Sequence, residues 1–240
     1  MATGPERRKK RFRSATDLGQ AIFDLHNFSI NPHSREIYLH PYLDNLDDDA
    51  GEVEFRMSAT FVKNINLLNN LGSSNILIHQ QTIGGNWCDG MAIFNAICFS
   101  KSSVSIIGYA HVRSMSSITF QAADKRVLMP DTEVVVHLGF VGGEDRSRAM
   151  YEYIASAKKA DDRMLEIYSK RCVNGKFFKE RGDKEKQVYR YIKDKVTRQH
   201  DDWIMTAEEA TYYGFADGVF GQKGFETVEK IRKTTKNRVF

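Results

Sequence analysis

Long apolar runs are missing from this 240-residue chain. Nothing approaches the roughly 18 consecutive apolar residues of a membrane-spanning helix. No signal-peptide core follows the basic start either, so no membrane partner is expected and a cytoplasmic location is. Cysteine is scarce: Cys88, Cys98 and Cys172 make no CxxC pair and have no histidine at zinc spacing. An odd number of thiols suits a reducing compartment, and neither a metal nor an organic cofactor is expected. The G-x-S-x-G elbow of the alpha/beta-hydrolases is absent. The dinucleotide pattern G-x-G-x-x-G is also absent, IGGNWCDG being a poor fit to it. There is no internal repeat and no low-complexity segment.

Excess charge of one sign is confined to one place. Residues 1–13, MATGPERRKKRFR, hold six Lys/Arg against one Glu, and the whole chain carries a formal +4, which leaves the remainder at −1. A nucleic-acid-tracking body would be basic throughout, so nucleic acid is not an expected partner. With almost nothing apolar to bury, residues 1–15 are expected to form a disordered basic tail.

The hydrophobic pattern alternates between strand and helix periods. REIYLH (35–40), NILIH (75–79), VSIIGYAHV (104–112) and EVVVH (133–137) read as strands. Val53, Met57, Phe61, Ile65 and Leu68 mark one helical face, and a second helix is expected over Gly90–Phe99. Continuous apolar strands separated by helices predict an α/β fold with parallel βαβ units. A helix over 147–172 would be ~39 Å long at ~1.5 Å rise per residue. Its apolar face comprises Met150, Ile154, Ala157, Met164, Leu165 and Tyr168, which is more than one domain is expected to cover. Polar 174–186 carries two glycines and reads as a mobile insertion. A further helix is expected to end near His200, and another over TAEEATYYG (206–214). The main domain would span 16–225, with a C-terminal tail over 226–240.

The stretch Ala110–Asp124, AHVRSMSSITFQAAD, sets three serines within four residues at a strand-to-helix junction. A serine there is most often a helix N-cap. In open α/β sheets, however, catalytic groups gather beyond the carboxyl ends of the strands. There NILIH delivers the Gly84–Gly85 turn, VSIIGYAHV delivers Ser114, and EVVVH delivers His137. A hydroxyl, an imidazole and backbone N–H donors are the parts acyl transfer needs. Spacing alone leaves the cap and the nucleophile as open alternatives.

The motif order resolves this. GGNWCDGM (84–91), RSM (113–115), VLMPDTEVVVH (127–137) and DWIMTAEEATYYGFADGVF (202–220) together resemble the Clp protease proteolytic subunit. That family of serine peptidases lies in the ClpP/crotonase superfamily, and the resemblance runs from about Arg35 to Phe220. It implies repeated β-β-α and βαβ units with a protruding handle helix. It makes Ser114 the nucleophile, His137 the general base, and Asp202 the third member of the triad, with Asp201 as competitor. Gly85 and Met115 would supply the oxyanion N–H donors. Peptides or unfolded proteins would be the substrates. The chain would close with copies of itself into a heptameric ring or double heptamer, with a AAA+ unfoldase as a further partner. The GFVGG stretch (139–143) would line the substrate path.

Three positions depart from the family pattern. Ile83 replaces the proline before the glycine pair, Arg113 stands where a small residue is usual, and the His137-to-Asp202 interval is long because of the 174–186 insertion. Three alternatives remain beside the peptidase. One is a specialised or inactive relative used in assembly or maturation. Another is a crotonase-type acyl-CoA enzyme, and the last is a Ser/Lys dyad built on Lys125.

Overall fold

A computed structural model describes residues 15–40, 51–139, 142, 146–199, 201–237 and 239–240. The basic stretch over 1–13 and most of GFVGG lie outside the described residues. Helix α1 (Ala15–Phe28) leads to β1 (Ile30–Asn31), which pairs antiparallel with β2 (Glu36–Leu39). Then come β3 (Glu52–Val53), α2 (Phe55–Leu71), β4 (Ile76–Thr82), β5 (Gly84–Gly85) and α3 (Trp87–Cys98). Strand β6 (Val104–Arg113) runs into α4 (Met115–Phe120), followed by β7 (Lys125–Leu128), β8 (Glu133–Val136) and α5 (Ser147–Cys172). Helices α6 (Lys176–Arg181) and α7 (Glu185–Asp194) continue into one π-helical turn, Lys195–Gln199. The described chain ends with β9 (Trp203–Met205), α8 (Ala207–Tyr213), β10 (Gly218–Val219) and α9 (Val228–Arg232).

The main sheet has the order β1-β2-β4-β6-β7-β10, with parallel pairing from β2 through β10. Its alternating side chains feed two faces. Ile37, Leu39, Ile76, Ile78, Val104 and Ile106 join the large core under α2, α3, α4 and the second half of α5. Helix α2 forms where the sequence predicts a helical face: Glu54 caps it by accepting the Arg56 and Met57 N–H groups, and Met57, Phe61, Ile65 and Leu68 are all buried. Leu77, Ile107 and Val127 point the other way and are covered by Ile231 of α9. The stretch expected as a C-terminal tail therefore packs on the sheet, and Ser105 Oγ donates to the Ile231 carbonyl at 3.0 Å.

Two further expectations differ from the observed fold. Polar 174–186 is largely helical, because Phe178 is fully buried and Phe177 packs at a tilt against Tyr191 and Tyr213. Its glycines serve packing and termination. A Cβ on Gly175 would lie 2.4 Å from the Tyr213 carbonyl oxygen, and Gly182 ends α6 in the left-handed region at φ 70°. The apolar face of α5 is also not uniformly in need of an outside partner. Met164, Leu165 and Tyr168 are buried in the chain's own core, whereas Ile154 is 49% exposed. The helix is anchored by its second half, and no residue over 147–160 is buried.

Candidate active site

The site exists because β6 forks. Its first half, Ser105–Gly108, pairs with β7, and its last residues, His111–Arg113, pair with β8. Between the halves Ala110 takes a positive φ of 44°, and the register against β4 slips: Gln80 faces Gly108 but Thr82 faces Val112. A bulged strand bends and re-aims the residues beyond the bulge. Ser114 thus arrives between the glycine turn after β4 and the end of β8, where its N–H donates to the Val135 carbonyl at 2.9 Å.

Ser114 occupies the capping position of α4 yet makes no side-chain cap hydrogen bond. Its backbone is held at φ 50°, ψ −126°, a strained conformation for a non-glycine residue that costs about 1–3 kcal/mol. The hydroxyl is aimed at an imidazole: Ser114 Oγ lies 2.7 Å from His137 Nε2. The opposite ring nitrogen, Nδ1, lies 2.9 Å from Asp202 Oδ1. With Nδ1–H donating to that carboxylate, Nε2 is left as the acceptor for the serine proton.

The other two serines are committed elsewhere. Ser117 Oγ donates to the Ser114 carbonyl at 2.6 Å, so the Tyr168 hydroxyl, also at 2.6 Å, donates to Ser117. Ser116 Oγ bonds Thr82 Oγ1, and both serines are buried. Lys125 donates to the Lys230 and Lys233 carbonyls at 3.3 and 2.9 Å, whereas the Ser114 hydroxyl meets His137.

Register explains the aspartate. Strand β9 pairs antiparallel with β8 so that Val136 faces Trp203. Extending that ladder one step sets Asp202 across from His137. Its neighbour Asp201 is equally exposed, but the carboxylate that meets the imidazole is that of Asp202.

The glycine pair is dictated by space. A Cβ on Gly84 would fall 2.5 Å from Ser114 Cβ and 3.1 Å from its Oγ; one on Gly85 would fall 2.4 Å from the Val53 carbonyl oxygen. Both residues have positive φ, 113° and 138°. Ile83 N–H donates to the Gly51 carbonyl at 3.2 Å and Asn86 N–H to the Val53 carbonyl at 2.8 Å, which pins the glycine pair against β3 from both sides. Met115 opens α4, where the first N–H groups have no intrahelical acceptor.

Arg113, beside Ser114, forms a 2.6 Å ion pair with Glu133. One neighbour of the site carries no sequence motif. Asp161 on α5 accepts the Gly139 N–H at 3.2 Å. Partial burial pushes its carboxyl above the usual carboxylate range; the Gly139 N–H opposes this, the Asp162 charge adds to it, and His137 opposes it. Only two adjacent acids near the middle of a long amphipathic helix could have signalled it. Among the described residues no cluster of His, Cys, Asp and Glu is arranged to hold a metal, and no helix is long and apolar enough to cross a membrane.

Comparison with known proteins agrees with this architecture. The ATP-dependent Clp protease proteolytic subunit of Deinococcus radiodurans is 25% identical over 193 residues, covering 79% of this chain and 86% of its own. The subunit of the same name from Streptococcus gordonii is 26% identical over 194 residues, covering 78% and 89%. That of Carsonella ruddii is 29% identical over a shorter 98 residues, 39% of this chain and 50% of its own. The family model described as Clp protease matches residues 49–223, from before the glycine pair to beyond β10. Bearing that match over most of its length, this chain belongs to the Clp protease family.

Proposed function

We propose that the chain is a serine endopeptidase with Ser114 as nucleophile, His137 as general base and Asp202 as the residue that orients it. The observation carrying this is the unbroken contact line from Ser114 Oγ through both nitrogens of His137 to Asp202, at 2.7 and 2.9 Å. Ser114 attacks a peptide carbonyl as His137 takes its proton. Asp202 fixes the tautomer and stabilises the imidazolium, which then protonates the leaving amine; water releases the acyl group by the same route in reverse. The N–H groups of Gly85 and Met115 receive the oxyanion, and Met115 lies at the positive end of α4.

The same family membership supports the wider setting. Tyr151, Tyr153 and Ile154, exposed by 73%, 50% and 49%, give the first half of α5 an apolar surface suited to a second copy. We infer a ring of identical subunits, seven by resemblance to the family, whose chamber admits peptides and unfolded chains. A AAA+ unfoldase would feed it in the cytoplasm. The test is hydrolysis of an unfolded casein: the parent chain releases peptides and His137→Ala does not. Equal turnover by the two, or none by the parent, refutes the assignment.

A further inference from the structure

Helix α5 passes from its exposed to its buried half at Asp161 and Asp162, just before Met164 and Leu165 enter the core. Both acids face the elements that carry the relay. Asp161 Oδ1 accepts the Gly139 N–H at 3.2 Å, two residues beyond His137. Asp162 Oδ1 accepts the Tyr189 hydroxyl proton at 3.0 Å and lies 4.0 Å from Lys193 Nζ. Tyr189 and Lys193 belong to α7, whose chain continues through the π-helical turn to Asp202. One turn of one helix therefore grips the chain just after the base and the helix just before the carboxylate.

Such a grip is needed because of where β8 stops. The strand ends at Val136, so His137, Leu138 and Gly139 lie past its last ladder pair. The imidazole must still stay within hydrogen-bond reach of two partners at once. A displacement of about 1 Å at a reacting group costs on the order of 100-fold in rate. We propose that Asp161 and Asp162 are positioning residues that hold the His137-to-Asp202 contact by tying both of its flanks to α5, an inference that rests on the serine-peptidase assignment above. The partners of both acids are protein groups: the Gly139 N–H, the Tyr189 hydroxyl and Lys193. Asp161 has an electrostatic share as well: with Asp202 from the β9 side, it is the second carboxylate acting on His137, Asp162 standing next to it on α5. Both charges favour the imidazolium that forms as Ser114 is deprotonated.

Three variants of the full chain separate this from a merely structural role. Asp161→Ala should lower kcat about tenfold or more with KM changed less than about twofold. Asp161→Asn, whose amide oxygen still accepts the Gly139 N–H, should restore most of kcat. Tyr189→Phe should resemble a weaker Asp161→Ala. A packing role alone would lower the melting temperature and leave kcat in place. The His137 Nδ1–H proton resonance, read in 15N-histidine-labelled protein, does not depend on turnover. It should broaden or move in Asp161→Ala and persist in Asp161→Asn. Parent kcat and an unchanged resonance in Asp161→Ala would overturn the proposal. If the parent hydrolyses nothing, the peptidase assignment falls, and the resonance still decides whether α5 holds the contact.

Discussion

Ser114 and Ser117 lie within one helical turn, yet they belong to two different regions of the molecule. Ser117 is part of an interior polar layer with Ser116, Thr119, Gln121, Arg126 and Tyr168, where each side chain is spent on a neighbour. Ser114 belongs to the rim beyond the strand ends, with Gly84, Gly85 and His137. There the backbone is strained, and its hydroxyl is turned from the helix it could cap toward an imidazole. Satisfied groups in a low-dielectric interior fix the fold. Strained groups at a strand end persist only because that interior over-determines them, and such strain collects at functional sites. Hydroxyls close in sequence can therefore have separable roles, one in chemistry and one in stability.

The widest break in this comparison should come from the serines themselves. Ser114→Ala is expected to lose on the order of 10⁶ in kcat with an unchanged melting temperature. Ser117→Ala should instead lose about 1–2 kcal/mol of stability and keep turnover within a few-fold. Peptide hydrolysis and thermal melts on the two proteins check the dissociation. At the rim, Asp202→Asn should cost about 10⁴ in kcat by leaving the imidazole in the wrong tautomer, while Asp201→Asn stays near the parent. The opposite ranking would move the orienting role to Asp201.

In the interior, Arg126 is 4% exposed and its guanidinium meets Asp217 at 2.5 Å. Asp217→Asn should cost about 3 kcal/mol by leaving a buried cation without its counterion, measured by urea unfolding, with reactivity at Ser114 retained. Burial alone would raise the Asp217 pKa, but the charge and hydrogen bonds of Arg126 outweigh it and hold the carboxyl below its ordinary value. The stability from this pair is therefore complete above the ordinary carboxylate range. It is lost as pH falls through the depressed folded value, and the variant should lack that part of the acid-side slope. The smallest effect per subunit concerns the exposed half of α5. Ile154→Glu, on the exposed half, should reduce particle size in light scattering without lowering the monomer's melting temperature. Leu165→Glu, at a site 1% exposed, should unfold the chain.

The parts legible in the sequence are those written in local pattern. The long amphipathic helix over 147–172 and the apolar strands around Ile76, Val104 and Val134 announce themselves by period. Strand β7, KRVL, does not, because its buried Arg126 is explained mainly by partners 88 to 91 residues away, Asp217 and the Gly214 and Phe215 carbonyls. The fork of β6 is likewise invisible, since nothing in VSIIGYAHVR says that Ala110 will take a positive φ. The segment over 226–240 reads as a tail because its docking is all long-range: Ile231 against the sheet, Arg232 on Glu36 and Phe240 against Phe94. At the site, residue types and order point to Ser114, His137 and Asp202. The preference between adjacent aspartates needs the β8–β9 register. Asp161 needs the structure outright, because its partner is a backbone N–H and its position on α5 has no motif around it.

The central claim is that one serine of the three is a nucleophile and the other two are structure. Labelling of the native chain with a fluorophosphonate, followed by peptide mapping of the modified residue, tests it most directly. The account predicts a single adduct on Ser114 that disappears in Ser114→Ala and is slowed by orders of magnitude in His137→Ala. An adduct on Ser116 or Ser117, or labelling that survives Ser114→Ala, would contradict it.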